Sequence, residues 1–439
     1  MTARGTWIGR LVSMKDGEGR LVAWAFLYLF AVFSAYYVIR PIRDEAGVAG
    51  GVNNLSWLFT GTLVAMMAVN APFAALVKSL PRRRFIGLTY RFFIVNLLIF
   101  LVLFRTATGD ANVWVGRAFF IWTSVFNLFV VSVFWAFMVD VFTSEQGKRL
   151  FAFIAAAATL GGILGSSITA GTVEQLGVPA LLLVSAALLE LGVQASKRLG
   201  DLTDAFNRPA GSAAPAAEAA PIGGSVLAGL THALSSPYLL GIAVYMLLYT
   251  VLSTFLYFQQ AEIVDRSFAD RAARTAFFAR VDLLVNALTL VGQFFVTGRL
   301  MKSAGVTLTL TIVPLITVVG FLLLGLMPTA AIVVGFTVLR RAGNFAFARP
   351  SREVLFTSVS REDKYKAKSF IDTVVYRFGD QVGAWASGGI VMLGLGAGAI
   401  AWAAVPLAAA WVANAWWLGR RQDAVGRRET PATAPAAAS

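Results

Sequence analysis

About twelve apolar stretches, each roughly 20 residues long, constrain the fold of this chain more than any other feature, because each can cross a bilayer as a helix. The 439 residues are 58% hydrophobic and only 14% charged. A soluble domain carries about 25% charged residues. The pattern therefore predicts an all-α polytopic membrane protein with about twelve transmembrane helices. The predicted spans lie near 21–42, 56–77, 85–104, 113–140, 151–172, 178–196, 237–259, 274–298, 306–327, 329–350, 369–394 and 397–418.

Positive charge is concentrated on alternate loops between the predicted spans, and the whole chain carries a net charge of +14. Basic loops such as "SLPRRR" after the second span alternate with short or mixed-charge loops such as "AEIVDRSFADRAAR". This is the positive-inside rule of polytopic membrane proteins, and no nucleic-acid partner is expected. We predict cytoplasmic N- and C-termini, no cleaved signal peptide before the first span, and a multi-pass protein of the bacterial inner (cytoplasmic) membrane.

The second half of the chain repeats features of the first half. The fourth span is followed by Asp140, Phe-Thr-Ser and a basic loop, and the tenth by Glu353, Phe-Thr-Ser and a basic loop. Two parallel halves related by an axis normal to the membrane are the plan of the major facilitator superfamily. The sequence predicts a cytoplasmic segment 1–20, a six-helix bundle 21–198, a cytoplasmic linker 199–230 rich in Ala, Pro, Gly and Ser, a second six-helix bundle 231–420 and a disordered tail 421–439.

Small residues form a run in the fifth and in the eleventh predicted span. The fifth contains "GGILG" and the eleventh contains "GGIVMLGLGAG". Glycine lets two helix backbones approach closely inside a membrane, so both runs predict close helix–helix packing. "GGILG" lacks the Lys-Ser/Thr end of a phosphate-binding loop, which leaves packing as its interpretation.

Ionised side chains within the predicted spans are candidate functional residues, because a charge at the bilayer centre costs about 2.5–3.5 kcal/mol. Arg340 and Arg341 lie about midway along the tenth span. Since neighbours on a helix point about 100° apart, we expect Arg341 to line a central site and Arg340 to pair with another helix. Arg280 and Asp282 in the eighth span form either a functional pair or a structural ion pair. Three more charges lie in the first half of the eleventh span, namely Asp372, Arg377 and Asp380.

The first span ends in "YYVIRPIRDE", where the charge is dense. Pro41 removes a backbone N–H and can bend the helix there. We expect Arg40, about a turn deeper than the acids that follow it, to point into a cavity, with Arg43 either paired or poised at its mouth. Tyr37 lies within a turn of Arg40, and an aromatic ring beside an arginine can stack a planar group of a substrate.

Catalysis and metal binding find little support in the sequence. The chain has no cysteine and one histidine, His232, in the loop before the seventh span. No Ser-His or His-Glu pair stands at the spacing that nucleophilic catalysis or zinc binding requires. We therefore predict that the chain is not an enzyme, that it holds no metal or cofactor, and that it drives transport by exchange or by an ion gradient.

Three stretches resemble the ATP/ADP translocase family of NTP/NDP exchangers. They are "YYVIRPIRDEAGV" in the first span, "FWAFMVDVFTSEQGKRLF" after the fourth, and "NFAFARPSREVLFTSVSREDKYKAKSFIDTVVYRFG" from the tenth to the eleventh. They come from both halves, so the resemblance implies a major facilitator fold throughout and a nucleotide exchanger. The third is the most specific, being in register with the family at Pro350, Arg352, Glu353, Lys366, Lys368, Ile371, Asp372, Arg377 and Gly379.

The chain departs from the family pattern at several positions of the implied site. Asn344 replaces a lysine of the tenth span, Arg349 reverses the charge of an acid, and Asp380 and Gln381 replace Lys-Ser after Arg-x-Gly. Arg341 keeps the charge of a second family lysine. Part of the phosphate-binding charge is thus retained and part is lost, and the resemblance implies the fold more firmly than the nucleotide.

Three hypotheses follow for the function. The first is a secondary-active transporter of an anionic, phosphorylated metabolite by alternating access; the second is a proton-coupled symporter or exporter of a small molecule; the third is a membrane scaffold or lipid-handling protein. In each case we expect a monomer in the lipid bilayer. Under the first hypothesis the substrate contacts Tyr37, Arg40, Arg43, Asn127, Gln260, Arg341, Asn344 and Arg377. Gating or ion coupling is assigned to Asp140, Lys148, Arg149, Arg280, Asp282, Glu353, Lys366, Lys368, Asp372 and Asp380.

Overall fold

Helices make up nearly all of the regular structure in the part of the chain that the computed structural model describes, which is Lys15 and residues 18–79, 82–206, 236–359, 367–368 and 370–429. In chain order they are α1 (Glu18–Ala49), α2 (Leu55–Ser79), α3 (Arg82–Thr106), α4 (Asp110–Val141), α5 and α6 (144–176 and 178–206, the two parts of Ser144–Phe206), α7 (Pro237–Ser267), α8 (Arg271–Val291), α9 (306–326 of Gly298–Leu326), α10 (Ala330–Gly343), α11 (Tyr376–Met392) and α12 (Ala397–Glu429).

Shorter helical pieces join or extend these helices. Val52–Asn54 and Phe356–Ser358 are 3-10 turns, and Arg349–Leu355 is a short α-helix that follows α10. Three segments are π-helical: Gly292–Thr297 after α8, Asn344–Ala348 after α10, and Ile371–Val375 before α11. π-Helical turns are rare and occur mostly at functional sites.

Two glycines with positive φ divide long helical segments into separate helices. Gly177 (φ 71°) separates α5 from α6, and Gly305 (φ 74°) separates the end of the α8 extension from α9. A residue with a Cβ is strained in this left-handed conformation, whereas glycine adopts it readily. At each of these points one helix ends and the next begins after a single non-helical residue.

Nine helical segments of the described residues are long and apolar enough to cross a membrane. Two of the nine, Arg149–Thr203 and Arg271–Leu326, contain the breaks at Gly177 and Gly305. The predicted eleventh span is not among the nine, and it corresponds to α11 with its preceding π-helical turn. The all-α polytopic membrane fold is thereby confirmed, while the count of twelve spans and the cytoplasmic side of both termini stay predictions.

The chain forms two compact units by its contacts, and the first comprises Met1–Ala214 and Val264–Leu290. This unit therefore contains α1 to α6 together with α8. Its centre is α1, which packs most extensively against α5 and α6 and has buried apolar residues on every side. A helix with such a surface is surrounded by other helices. The division into two six-helix bundles, 21–198 and 231–420, stays a prediction. The contacts of α8 are mainly with the N-terminal helices.

A buried hydrogen-bonded pair of tyrosines ties three helices of the first unit together. The Tyr28 hydroxyl of α1 donates to the Tyr90 hydroxyl of α3 at 2.8 Å, and Tyr90 donates to the Val130 carbonyl of α4 at 2.9 Å. Both tyrosines are fully buried. Because a buried hydroxyl without a partner is costly, this chain of bonds fixes how α1, α3 and α4 pack.

The second unit comprises Pro215–Ile263 and Val291–Ser439, and it contains α7 as far as Ile263 and α9 to α12. In it α9 packs most extensively against α12. The carboxylate of Asp423 on α12 accepts hydrogen bonds from the backbone N–H groups of Val306 (3.1 Å) and Thr307 (3.3 Å) at the start of α9. These are donors that a helix start leaves unsatisfied, so α12 supplies the N-terminal cap of α9.

The predicted close packing of the "GGILG" run is confirmed. A Cβ added at Gly161 would lie 3.0 Å from the Ser34 backbone nitrogen of α1, and one at Gly165 would lie 2.9 Å from the Tyr37 Cβ. A Cβ at Gly162 would lie 2.6 Å from the Asn286 Oδ1 of α8. The glycines thus let α5 approach α1 on one side and α8 on the other.

The predicted close packing of "GGIVMLGLGAG" is wrong for most of its glycines. Apart from the chain neighbours and the nearby backbone of the same helix, no atom of the described structure lies within 4 Å of a Cβ placed at Gly389, Gly394, Gly396 or Gly398. The close approach of α11 occurs earlier in the helix, at Gly379 and at Gly383, where a Cβ would lie 2.8 Å from the Thr254 Cβ of α7. The sequence composition showed that this helix is rich in small residues, but it did not show which of its faces packs against a neighbouring helix.

Candidate functional site

Arg40 is held inside the first unit by an acid from a different helix. Its Nη1 donates to Oδ1 of Asp282 on α8 at 2.8 Å, and the two side chains are 19% and 2% exposed. The Arg40 guanidinium also lies 5.5 Å from the centre of the Tyr37 ring. Pro41 follows Arg40 and has no backbone N–H, so it cannot donate the usual helical hydrogen bond to the Tyr37 carbonyl. The helix α1 nevertheless continues to Ala49.

Arg43 lies one turn further along α1 and has a local partner. Its Nη1 donates to Oδ1 of Asp44 at 2.7 Å, and its Nε donates to the Ser124 hydroxyl of α4 at 3.2 Å. The guanidinium stacks 3.9 Å from the centre of the Phe120 ring. Arg43 is therefore oriented from three sides, and it lies beside the same stretch of α1 as Arg40.

A second ion pair joins the end of α1 to the start of α8. Arg271 donates from Nε to Oε1 of Glu45 at 2.8 Å and from Nη2 to Oε2 at 3.0 Å. Two parallel bonds of this kind are the strongest arginine–carboxylate geometry. The Glu45 side chain is 2% exposed. Sequence reasoning missed both residues, because charges at the ends of predicted spans are usually explained by snorkelling to the headgroups.

The alternative of a structural ion pair between Arg280 and Asp282 is wrong. Asp282 is bound to Arg40, whereas Arg280 is exposed and lies 3.7 Å from Glu174 of α5. Neighbours two positions apart on a helix face different directions, so the two side chains separate. Asn286, one turn beyond Asp282, donates from Nδ2 to the Asp282 carbonyl at 2.8 Å.

Arg340 is the most deeply buried cation of the second unit, with 2% of its surface exposed. Its Nε donates to the Thr317 hydroxyl of α9 (3.1 Å), Nη1 to the Ser253 hydroxyl of α7 (2.9 Å) and Nη2 to the Tyr249 carbonyl (3.0 Å). The guanidinium also faces the rings of Tyr249 and Trp411, at 5.2 and 5.8 Å. As expected, Arg340 binds other helices, but among the described residues it does so through neutral acceptors and no acid.

The remaining predicted substrate contacts are distributed over both units. In the second unit Arg341 and Asn344 are half-buried on α10 and its π-helical end, and Gln260 is buried near the end of α7. In the first unit Tyr37 is buried and Asn127 is half-buried on α4. Their common role in substrate binding stays a prediction.

The acids of the eleventh predicted span each lie beside an arginine of the second unit. Asp372 lies 3.4 Å from Nη2 of Arg352, and Asp380 lies 3.5 Å from Nη1 of Arg377. Arg352 also donates from Nη1 to the sulfur of Met246 on α7 at 2.8 Å. Its buried Nε makes no hydrogen bond within the described structure. Arg352 therefore has weak partners, and the resemblance pointed to it although its charge was not assigned a role.

The predicted gating residues at the helix ends lie in two separate groups. In the second unit Lys368 binds Glu353. In the first unit Arg149 donates to Oε1 of Glu18, at the start of α1, at 2.9 Å. Asp140 is exposed at the end of α4. Two further residues are not placed in detail, since the Lys148 side chain and all of Lys366 lie outside the described residues.

A second contact lies beside Glu18. Lys15 donates to Glu145, at the beginning of α5, at 3.1 Å, and this hydrogen bond lowers the pKa of the exposed Glu145 carboxyl. Glu18 was not singled out from the sequence, because it lies in the polar segment before the first predicted span.

A sequence relative is found among the ADP,ATP carriers. ADP,ATP carrier protein 2 of Chlamydia pneumoniae is 25% identical to this chain over 232 residues, which is 46% of this chain and 43% of that protein. The chain therefore spans less than half the length of the curated relative that it matches. No protein-family model matches the chain.

Solved transporter structures share the fold over nearly the whole chain. An auto-inhibited peptide transporter of the POT family has a TM-score of 0.60 at 13% identity and covers 96% of this chain and 99% of its own. A bacterial homologue of the iron transporter ferroportin, in an inward-facing state, has a TM-score of 0.59 at 12% identity and covers 92% and 98%. The proteins named here are carriers or transporters and none is an enzyme, as predicted for this chain. The chain is thus a multi-pass membrane protein with the major facilitator fold, and its predicted resemblance to the ATP/ADP translocase family is confirmed.

Proposed function

We propose that this protein is a secondary-active transporter of an anionic, phosphorylated metabolite, of the nucleotide-exchange type, and that it works by alternating access. The observation that carries the proposal is Arg40, a half-buried arginine within α1 whose bound acid, Asp282, comes from another helix. A cation at such a depth is costly unless an anion neutralises it. A substrate phosphate can take the place of that carboxylate.

The residue type supports an anionic substrate with several oxygens. Arginine presents a planar fork of donors that matches phosphate in two-bond geometry. Arg43 lies one turn from Arg40, and Arg341 is half-buried in the second unit. The Tyr37 ring beside Arg40 offers a stacking surface for a planar base. The relative's name, an ADP,ATP carrier, supports a nucleotide as the first substrate to test.

Ion pairs at the helix ends support the conformational part of the proposal. Glu353 with Lys368, and Arg149 with Glu18, join separate helical segments within their own units. Pairs of this kind can break and form again as a carrier alternates between two states. We propose that they belong to the cytoplasmic gates of a carrier that acts as a monomer in a bacterial inner membrane.

Reconstitution into liposomes tests the proposal. We expect liposomes loaded with ADP to take up radiolabelled ATP, and we expect this uptake to need the internal counter-substrate and to survive a protonophore. Arg341→Gln should weaken uptake by at least about tenfold, since a charge-assisted bond contributes about 1.5–3 kcal/mol. Arg105→Gln is the matched control, because this arginine is exposed at the end of α3 and has no assigned role in the site.

Other outcomes would favour the other functions. Uptake that collapses with the protonophore would favour the proton-coupled carrier, with Asp282, Asp372 or Asp380 as the proton-binding residue. A thermal-shift screen of the purified protein against nucleotides, sugar phosphates and inorganic phosphate gives a second measurement, because a ligand of the native state raises its apparent stability. No shift with any of these anions, together with no uptake, would overturn the proposal and favour a scaffold.

A further inference from the structure

We propose that Asp282 is a resident counter-ion of Arg40, which lets α8 close against α1 and α5 when no substrate is bound, and that the anionic group of a substrate replaces its carboxylate. The proposal rests on the proposed function only for the identity of that anion. It assigns to Asp282 control over whether α8 lies against α1 and α5 in the empty carrier.

In the described structure, Arg40 contacts a single carboxylate, that of Asp282. The Asp282 side chain is 2% exposed. Breaking a buried ion pair by removing one partner leaves an uncompensated charge, which is strongly unfavourable. If Asp282 were neutral, the seating of α8 against α1 would bury Arg40 without the carboxylate that it contacts directly.

The position of α8 in the chain supports a movable contact. The segment Val264–Leu290 belongs to the first unit, while the residues directly before and after it belong to the second. The boundary after α8 falls at the π-helical turn Gly292–Thr297, and such turns are common at functional sites. The described contacts of α8 with the N-terminal helices include the Arg40–Asp282 pair, the Glu45–Arg271 pair and the close approach of Gly162 to Asn286.

The counter-ion changes what α8 needs in order to lie against α1 and α5. With Asp282 in place, Arg40 is neutralised without a ligand, so the contact can form in the empty carrier. Without the Asp282 charge, the contact buries Arg40 unless a bound anion neutralises it.

The absence of cysteine makes closure directly measurable. A Cβ at Gly162 would lie 2.8 Å from Cγ of Asn286, which brings two cysteines at these positions within disulfide range. Because the chain contains no cysteine, Gly162→Cys with Asn286→Cys creates one crosslink, and its rate of oxidation in membrane vesicles reports how often α8 lies against α5.

We expect Asp282→Asn in this background to slow crosslinking by about tenfold or more without any ligand, because closure then buries an unpaired Arg40. The double variant Arg40→Gln with Asp282→Asn should restore the rate, since neither charge remains. Arg105→Gln, at the exposed end of α3, is the control and should leave the rate unchanged. An unchanged rate in Asp282→Asn, or no recovery in the double variant, would overturn the proposal.

The substrate is tested in a second arm with ADP, pyrophosphate and inorganic phosphate added to the Asp282→Asn background. Faster crosslinking with an anion supports the replacement of Asp282 by the ligand, and the active anion identifies its class. If the variant is slow and the double variant recovers, but none of the anions accelerates crosslinking, the counter-ion role of Asp282 stands, whereas the anion-replacement step and the proposed function are contradicted.

Discussion

Arg40 in the first unit and Arg340 in the second are both arginines inside predicted spans, and the protein accommodates them in opposite ways. Arg40 is bound to a carboxylate, Asp282, from a different helix. Arg340 is bound to two hydroxyls and a carbonyl and is flanked by aromatic rings. An acid can be exchanged for another anion, whereas a set of neutral acceptors on two helices holds its arginine in place. We therefore keep Arg40 as the proposed substrate-binding residue and propose that Arg340 braces the helices it contacts.

The largest effect that tests this comparison is expected for Arg40→Met. The substitution leaves Asp282 buried without its cation, and such a loss costs about 3–5 kcal/mol. We expect the free energy of unfolding in detergent, measured by denaturant titration, to fall by this amount. A loss no larger than that of Arg340→Met would remove the distinction between the two sites.

The second effect is a recovery. Adding Asp282→Leu to Arg40→Met removes both charges, and replacing a whole buried ion pair by apolar residues is nearly neutral. We expect the double variant to regain about 2–4 kcal/mol over Arg40→Met alone. The same titration gives the coupling energy from a double-mutant cycle, and additive losses would show that the two side chains do not depend on each other.

The third effect is a smaller loss in Arg340→Met, of about 1–3 kcal/mol, from three hydrogen bonds to a charged donor. Both hydroxyls keep a hydrogen bond when Arg340 is removed. The Thr317 hydroxyl also donates to the Val313 carbonyl, and the Ser253 hydroxyl also donates to the Tyr249 carbonyl. Uptake per folded molecule should change little if Arg340 only braces helices. Loss of uptake in a fully folded variant would instead place Arg340 in the binding site.

The smallest effect is expected for Glu174→Gln. This acid lies 3.7 Å from Arg280, and both side chains are more than half exposed. Exposed pairs of this kind contribute about 0–1 kcal/mol, so the unfolding titration should not separate the variant from the unaltered protein. A clear loss would show that the contact between α5 and α8 depends on more than the buried pair at Arg40.

The sequence predicted the helices and pointed to several charges inside them, because the length, the hydropathy and the position of a charge within an apolar stretch are local properties. Arg40, Asp282 and Arg340 were all found by the cost of burying charge. The sequence did not show that Arg40 and Asp282 contact each other, because they lie 242 positions apart in the chain. The acceptors of Arg340 are a serine, a threonine and a carbonyl, which carry no signal in an apolar helix.

Packing faces and helix ends were the least predictable parts. Glu45 and Arg271 lie at the ends of spans, where exposed charge is ordinary, and only the structure shows that Glu45 is buried in a two-bond pair. Similarly, the glycine content in and after α11 was evident, but a Cβ added at Gly389 or Gly394 would meet no neighbouring helix in the described structure. A periodic pattern reports which residues are small or apolar and does not report which neighbour they meet.

The sequence separation of the Arg40–Asp282 pair has a consequence for the biosynthesis of the protein. Arg43 can bind Asp44, its neighbour, as soon as α1 is made, but the partner of Arg40 is synthesised 242 residues later. During that interval α1 enters the membrane with Arg40, and Asp282, the acid that neutralises it in the folded protein, has not yet been made. A nascent chain that ends after α6 would therefore hold Arg40 uncompensated, and the emergence of α8 from the ribosome completes the first unit.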